Sequence, residues 1–149
     1  GAGGIIIGIV KFEMNDTLQR LIWGGAPVRF PKLKWALVES GIGWIGATLE
    51  FMDHWWNDHK GWMDPRLPET PSTYFHRQCW ISADPDEKTV SSVIEVVGSD
   101  RFFWASDFPH PDHIGHYMEA LGEMVAPLSE KAQREVLWQN VSQVYKLGE

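Results

Sequence analysis

Hydrophobic and polar positions along the chain switch between a helical period and short apolar runs. Over DTLQRLIWG, residues 16–24, Leu18, Leu21 and Ile22 recur at helical spacing. Asn15 or Asp16 is placed to cap the start of this helix and Gly24-Gly25 to stop it. In FPKLKWALVES, Pro31 bars a helix and Trp35 to Val38 is an apolar run of strand length, with Glu39 at its C-terminal end. Gly41 and Gly43 predict a turn, and WIGATLEFMDHWW an amphipathic helix. Residues 57–71, with Pro65, Pro68 and Pro71, predict a loop. CWISA, 79–83, predicts a second strand. Asp84 or Asp86 caps the next helix, DEKTVSSVIEVVG, which Gly98 closes. RFFWAS, 101–106, predicts a third strand running into Asp107. A helix around residues 113–124 follows, and Ser129 opens a last helix through EKAQREVLWQNVSQVYKL, with Glu130 in its first turn.

Strands at about 34–39, 79–83 and 101–106 with helices between them define an α/β chain of parallel βα units, joined by right-handed crossovers. One domain is expected over residues 1–149. In such folds chemistry collects at the C-terminal strand ends, which puts Glu39, Ala83-Asp84 and Asp107 on one rim. Three or four parallel strands do not close a barrel, and the open edges invite pairing. Helices are expected on the outer face only, leaving the opposite face bare. A second copy, a separate N-terminal partner, or the apolar N-terminal stretch would each cover it; self-association is the expectation adopted.

Composition narrows the function classes. The chain has 149 residues, 44% hydrophobic and 22% charged, enough for one real core. A net charge of -7 argues against a nucleic-acid binder, which needs a basic face. Cys79 is the single cysteine, so an internal disulfide and a zinc-thiolate cluster are excluded; it reads as a small buried residue. No apolar run is long enough to span a bilayer, so no membrane association is expected. GAGGIIIGIVKF lacks the basic flank and cleavage pattern of a signal peptide, and the expected location is cytoplasmic. Nine tryptophans are more than a core alone requires, and some are expected to line a cleft.

The densest chemistry is WASDFPHPDH, 104–113. A carboxylate at a strand end, Asp107, can ligate a divalent ion or accept a proton; it can equally cap the following helix or bind loop amides. His110, between Pro109 and Pro111, can polarise a substrate oxygen or organise its loop. Trp104 and Phe108 can wall a site for an aromatic or unsaturated acid. Glu39 is a second rim carboxylate, or a structural partner of Arg77 or Arg101. His113 and His116 lie three apart, a spacing that binds metal or simply marks a solvated helix face. His54 and His59 flank WWND without a ligand spacing. Trp55, Trp56 and Trp62 read as loop packing or an interface, and His76 with Arg77 as structural.

Several segments resemble one family. FPKLKWALVESGIGWIGATLEFMD is similar to the sixth strand and helix of the amidohydrolase-related enzymes, the group that includes aminocarboxymuconate-semialdehyde and resorcylate-type decarboxylases. PSTYFHRQCWIS resembles the approach to their seventh strand, DRFFWASDFPHPD their eighth strand and its loop, and WQNVSQVYKL their terminal helix. The resemblance implies a TIM-type (β/α)8 barrel holding a divalent metal, usually zinc, with this chain matching the C-terminal half. It makes Asp107 the metal-binding aspartate of the eighth strand. It also implies first-strand and fifth-strand histidine ligands that this sequence does not contain. Glu39 occupies the position where the decarboxylases place a catalytic histidine. The implied function is a metal-dependent hydrolase or non-oxidative decarboxylase acting on a small carboxylic or cyclic substrate. The alternative is an inactive half-barrel that binds a ligand or itself, with no metal in the isolated chain.

Overall fold

The computed structural model describes residues 2–110 and 115–148. Helix α1 (Ala2–Trp23) and the short α2 (Ala26–Arg29) precede strand β1 (Trp35–Leu37). Then come α3 (Ile45–His59), α4 (Pro71–Gln78), β2 (Cys79–Ala83), α5 (Val90–Val97), β3 (Phe102–Trp104) and α6 (Tyr117–Val125). The last helix runs from α7 (Glu130–Arg134) through a wide turn, Glu135–Gln139, into α8 (Asn140–Tyr145). The sheet order is β1-β2-β3, all parallel, with Leu37 level with Ile81 and Ile81 level with Phe102. Among the described residues, no helix is long and apolar enough to cross a membrane.

Local chemistry explains most boundaries. Ser129 caps α7 by accepting the Ala132 N–H at 3.3 Å. Gly98 ends α5 at φ 98°, a conformation glycine adopts without steric cost. The strands are shorter than expected at both edges, and three expectations need correction. The first helix starts at Ala2, so Asn15 and Asp16 lie in its interior rather than at its cap. Asn15 donates to Thr48 Oγ1 at 2.9 Å, tying α1 to α3, and Asp16 pairs with Arg20 one turn on. Residues 71–78, expected only as an approach to the second strand, form α4. Thr70 caps it and Pro71 fills its first turn, where a missing N–H costs nothing. Helix α5 starts near Val90 because Glu87 is engaged elsewhere, as described below.

The core lies between the sheet and the helices. Cys79, Ile81 and Ala83 of β2 and Phe102 of β3 join Leu18 and Ile22 of α1, Ile45, Leu49 and Met52 of α3, and Tyr74 and Phe75 of α4. Each large apolar side chain buried there contributes about 1.5–3 kcal/mol. Because strand side chains alternate, Trp80, Ser82 and Phe103 face the other way. That face was expected to be bare, yet all three residues are buried. Lys34 Nζ lies 5.1 Å and Arg101 Cζ 4.6 Å from the centre of the Trp80 ring. Tyr145 of α8 meets Phe103 edge-on at 6.4 Å. Long cationic stems thus cover Trp80 of the central strand, and the end of the last helix covers Phe103 of β3. Among the described residues, β1 and β3 each pair on one side only, so both edges are open.

Candidate active site

The C-terminal ends of the three strands form the rim. Two residues to the chain's C-terminal side of Leu37 lies Glu39, level with Ala83 and Trp104; Asp107 lies three residues past Trp104. With strands about 4.8 Å apart, β1 and β3 are separated by roughly 10 Å across β2. Glu39 and Asp107 share an uncommon backbone: φ is 60° at Glu39 and 57° at Asp107. Left-handed residues other than glycine are costly, by roughly 1–2 kcal/mol for an L side chain. Such outliers collect at functional sites.

Each of the two residues is held in its own way. The Glu39 N–H donates to Ser82 Oγ at 3.3 Å, fastening the end of β1 to the central strand. At Asp107 the backbone carbonyl accepts the His110 N–H at 2.8 Å, closing a tight turn. Its Oδ2 lies 3.3 Å from His110 Nδ1, so carboxylate and imidazole face each other as an ion pair when the histidine is protonated. The Phe108 N–H donates to Ser106 Oγ at 3.3 Å, and the Phe108–Pro109 peptide is cis. Phe108 projects 71% exposed beside Asp107.

The other predicted residues separate. Trp104 shares the helix-facing side of β3 with buried Phe102; its indole N–H donates to the Leu137 carbonyl at 3.2 Å and its ring stacks on Tyr117. Period-two alternation places it on the same side of β3 as Phe102, partly buried against the core. Glu39 meets neither arginine proposed for it: Arg77 pairs with Glu69 at 2.7 Å and Arg101 with Asp100 at 3.4 Å. His76 is structural, 3.7 Å from Asp100. The hydrogen bond from His76, with the charge of Arg101, holds the Asp100 carboxyl below its ordinary range. Cys79 is buried, and burial pushes its thiol well above the ordinary value. His54 pairs with Asp58 at 3.4 Å along α3. His113 and Pro111 lie outside the described residues, so the pairing of His113 with His116 is not seen.

One rim residue carries no motif. Glu87, in the loop between β2 and α5, accepts the Ile42 N–H at 2.9 Å, the Gly43 N–H at 2.7 Å and the Thr89 hydroxyl at 3.0 Å. It thereby clamps the turn that follows Glu39. Gly41 has φ 61°, and a Cβ there would come within 3.1 Å of the Glu87 carboxylate; at Gly43 it would meet Thr89 Oγ1 at 2.8 Å. The two glycines let the carboxylate reach the backbone. The glycines were visible as a turn, but nothing local in the sequence points to their partner more than 40 residues away.

A divalent-ion site takes three or four protein ligands. Among the described residues, no three His, Cys, Asp or Glu side chains come together to hold a metal ion. Asp107 with His110 supplies two donors, so the described residues do not by themselves fit a metal.

The parallel sheet with helices packed against it forms part of a (β/α) barrel. The chain belongs to the amidohydrolase family: the profile of that family matches residues 12–147. Among solved structures it resembles an amidohydrolase of Mycobacterium avium subspecies paratuberculosis, with 22% identity and a TM-score of 0.74 over 87% of this chain and 32% of that one. It resembles 5-carboxyvanillate decarboxylase of Sphingomonas paucimobilis at 26% identity and TM-score 0.68, over 87% of this chain and 38% of that one. A variant of the Novosphingobium aromaticivorans 5-carboxyvanillate decarboxylase, with bound manganese and 3-methoxy-4-hydroxy-5-nitrobenzoic acid, aligns at 20% identity and TM-score 0.74, over 92% and 40% of the two chains. No curated protein sequence matches the chain. The chain thus spans between 32% and 40% of the length of these three structures.

Proposed function

We propose that this chain is the C-terminal half of an amidohydrolase-type barrel whose activity is metal-dependent hydrolysis or non-oxidative decarboxylation of a small carboxylic or cyclic substrate. The observation that carries the reading is the backbone at the rim: Glu39 and Asp107, at the ends of β1 and β3, both adopt the left-handed conformation in a family fold whose relatives include decarboxylases. Asp107 is the proton acceptor and one ligand to a divalent metal, zinc or manganese. Its further ligands come from residues brought to the rim by association across the open edges of β1 and β3. His110 positions the Asp107 carboxylate and supplies a positive charge beside it when protonated. Glu39 is the second acid-base group on the rim, and Phe108 an exposed apolar wall for the substrate.

A second reading is a self-associating or ligand-binding half-barrel without turnover. It is favoured by the absence of three clustered ligands among the described residues. Assay of the associated protein for release of CO2 from hydroxybenzoate acids and for amide and lactone hydrolysis, with zinc or manganese added, separates the two. Turnover lost in both Asp107→Asn and Glu39→Gln supports the enzyme. Association without turnover on any of these substrates supports the half-barrel.

A further inference from the structure

Far from the rim, the end of α1, the end of α3 and the loop after it meet around a cleft of about 520 Å³. Helix α3 leaves the rim at Ile45 and runs for 15 residues, so its last turn lies about 20 Å away along the helix. Three indoles wall the cleft. Trp23 meets Trp55 edge-on, with ring centres 6.4 Å apart and planes at 68°. Trp62 is tilted 58° to Trp55, also at 6.4 Å. His59 holds this arrangement: it stacks on Trp55 at 3.7 Å, meets Trp62 edge-on at 5.1 Å, and its Nδ1 lies 2.8 Å from the Trp55 carbonyl. Trp56 anchors the loop by donating its indole N–H to the Leu67 carbonyl at 2.9 Å.

Two features separate this cluster from ordinary packing. Its inner ring packs while its outer ring faces solvent: Trp23 lies against the core, Trp55 is 39% and Trp62 72% exposed. A contiguous exposed aromatic patch of this kind is characteristic of a binding surface. Secondly, among the described residues Asp64 is the only charged one lining the cleft, and it makes no ion pair with any of them. One face of Trp55 is covered by His59, and any indole face left open to the cleft is negative, so it shares the electrostatic preference of the carboxylate. An anion is repelled. A neutral molecule gains only burial. A primary ammonium must shed tightly held water, whereas a quaternary ammonium brings its charge under a methyl surface that packs on indole.

We propose that Trp23, Trp55, Trp62 and Asp64 form an aromatic cage for a small free quaternary ammonium compound. The test compares choline with its neutral isostere 3,3-dimethyl-1-butanol at constant ionic strength, by calorimetry and by tryptophan fluorescence. Choline is expected to bind saturably, and the isostere at least about fivefold more weakly. Trp62→Ala is expected to weaken choline binding by about five- to thirtyfold. Asp64→Asn should weaken choline and leave the isostere unchanged. Both side chains are at the surface of the cleft, and circular dichroism confirms that each variant is folded. Equal affinity for choline and the isostere, or no saturable choline signal in the folded wild-type protein, overturns the proposal.

Discussion

The carboxylate of Glu87 accepts the backbone N–H of Gly43 at 2.7 Å, joining the loop after β2 to the turn after β1. Two loops that carry neighbouring parts of the rim are thus held by one acidic side chain, which also takes the Ile42 amide and the Thr89 hydroxyl. Hydrogen bonds to an ionised acceptor are worth more than neutral ones. Glu87→Ala is expected to lower unfolding free energy by about 2 kcal/mol, and Glu87→Gln by less, because the amide oxygen still accepts. Urea denaturation of the three proteins checks the order. Equal stability of Glu87→Ala and the wild-type protein would show that the clamp does not hold the rim.

The backbone at Glu39 makes a separate prediction. At φ 60° a glycine is at ease and a β-branched residue is not. Glu39→Val should cost about 1–2 kcal/mol, whereas Glu39→Gly should cost little or nothing. Thermal unfolding of the pair gives the answer. If glycine is as harmful as valine, the left-handed geometry is not what the rim imposes.

Acid sensitivity is expected from Asp100. Its carboxyl is held below the ordinary value of 3.8, first by the hydrogen bond from His76 and then by the charge of Arg101. The unfolded chain therefore takes up this proton at a higher pH than the folded chain does. The contribution is complete above about pH 4 and is lost as the pH falls below it. Asp100→Asn should flatten the loss of stability below about pH 4, leaving the trend above pH 5 unchanged. Denaturation midpoints measured across that range test it, and parallel curves for the two proteins would contradict it.

Cys79 is expected to resist modification. It sits at the start of the central strand with no solvent exposure, and burial raises its thiol far from the thiolate form. A chromogenic disulfide reagent at pH 8 should label the folded protein only at the rate of unfolding, and the denatured protein at once. Rapid labelling of the folded protein would mean that β2 is not the closed centre of the core.

These side chains also show what the sequence could disclose. CWISA was legible as a strand because five apolar or small residues between breakers leave little else, and Ser129 was legible because its cap is local. The Thr70-Pro71 helix start was equally local but was hidden among prolines read as loop. The early turns of α1 were missed because its glycine-rich start is poor in helix formers, although the helix runs from Ala2. Trp104 shows a different limit. Its position at the end of an apolar strand was clear, but only alternation with Phe102 reveals that it faces the helices. The Glu87 clamp was beyond reach, since its partners are distant in sequence and are backbone amides, which leave no mark on residue type. Asp107 was found as a rim carboxylate from its strand-end position, whereas its left-handed backbone needed the structure.

The proposal stands or falls on whether Asp107 belongs to a metal site completed by association. The most direct measurement is elemental analysis of the chain after incubation with zinc and manganese and gel filtration, with mass by light scattering on the same fractions. The expected result is an associated species carrying divalent metal, and an Asp107→Asn protein of the same mass that carries none. A clean monomer, or an associated species without metal, or metal retained unchanged by Asp107→Asn, would contradict it.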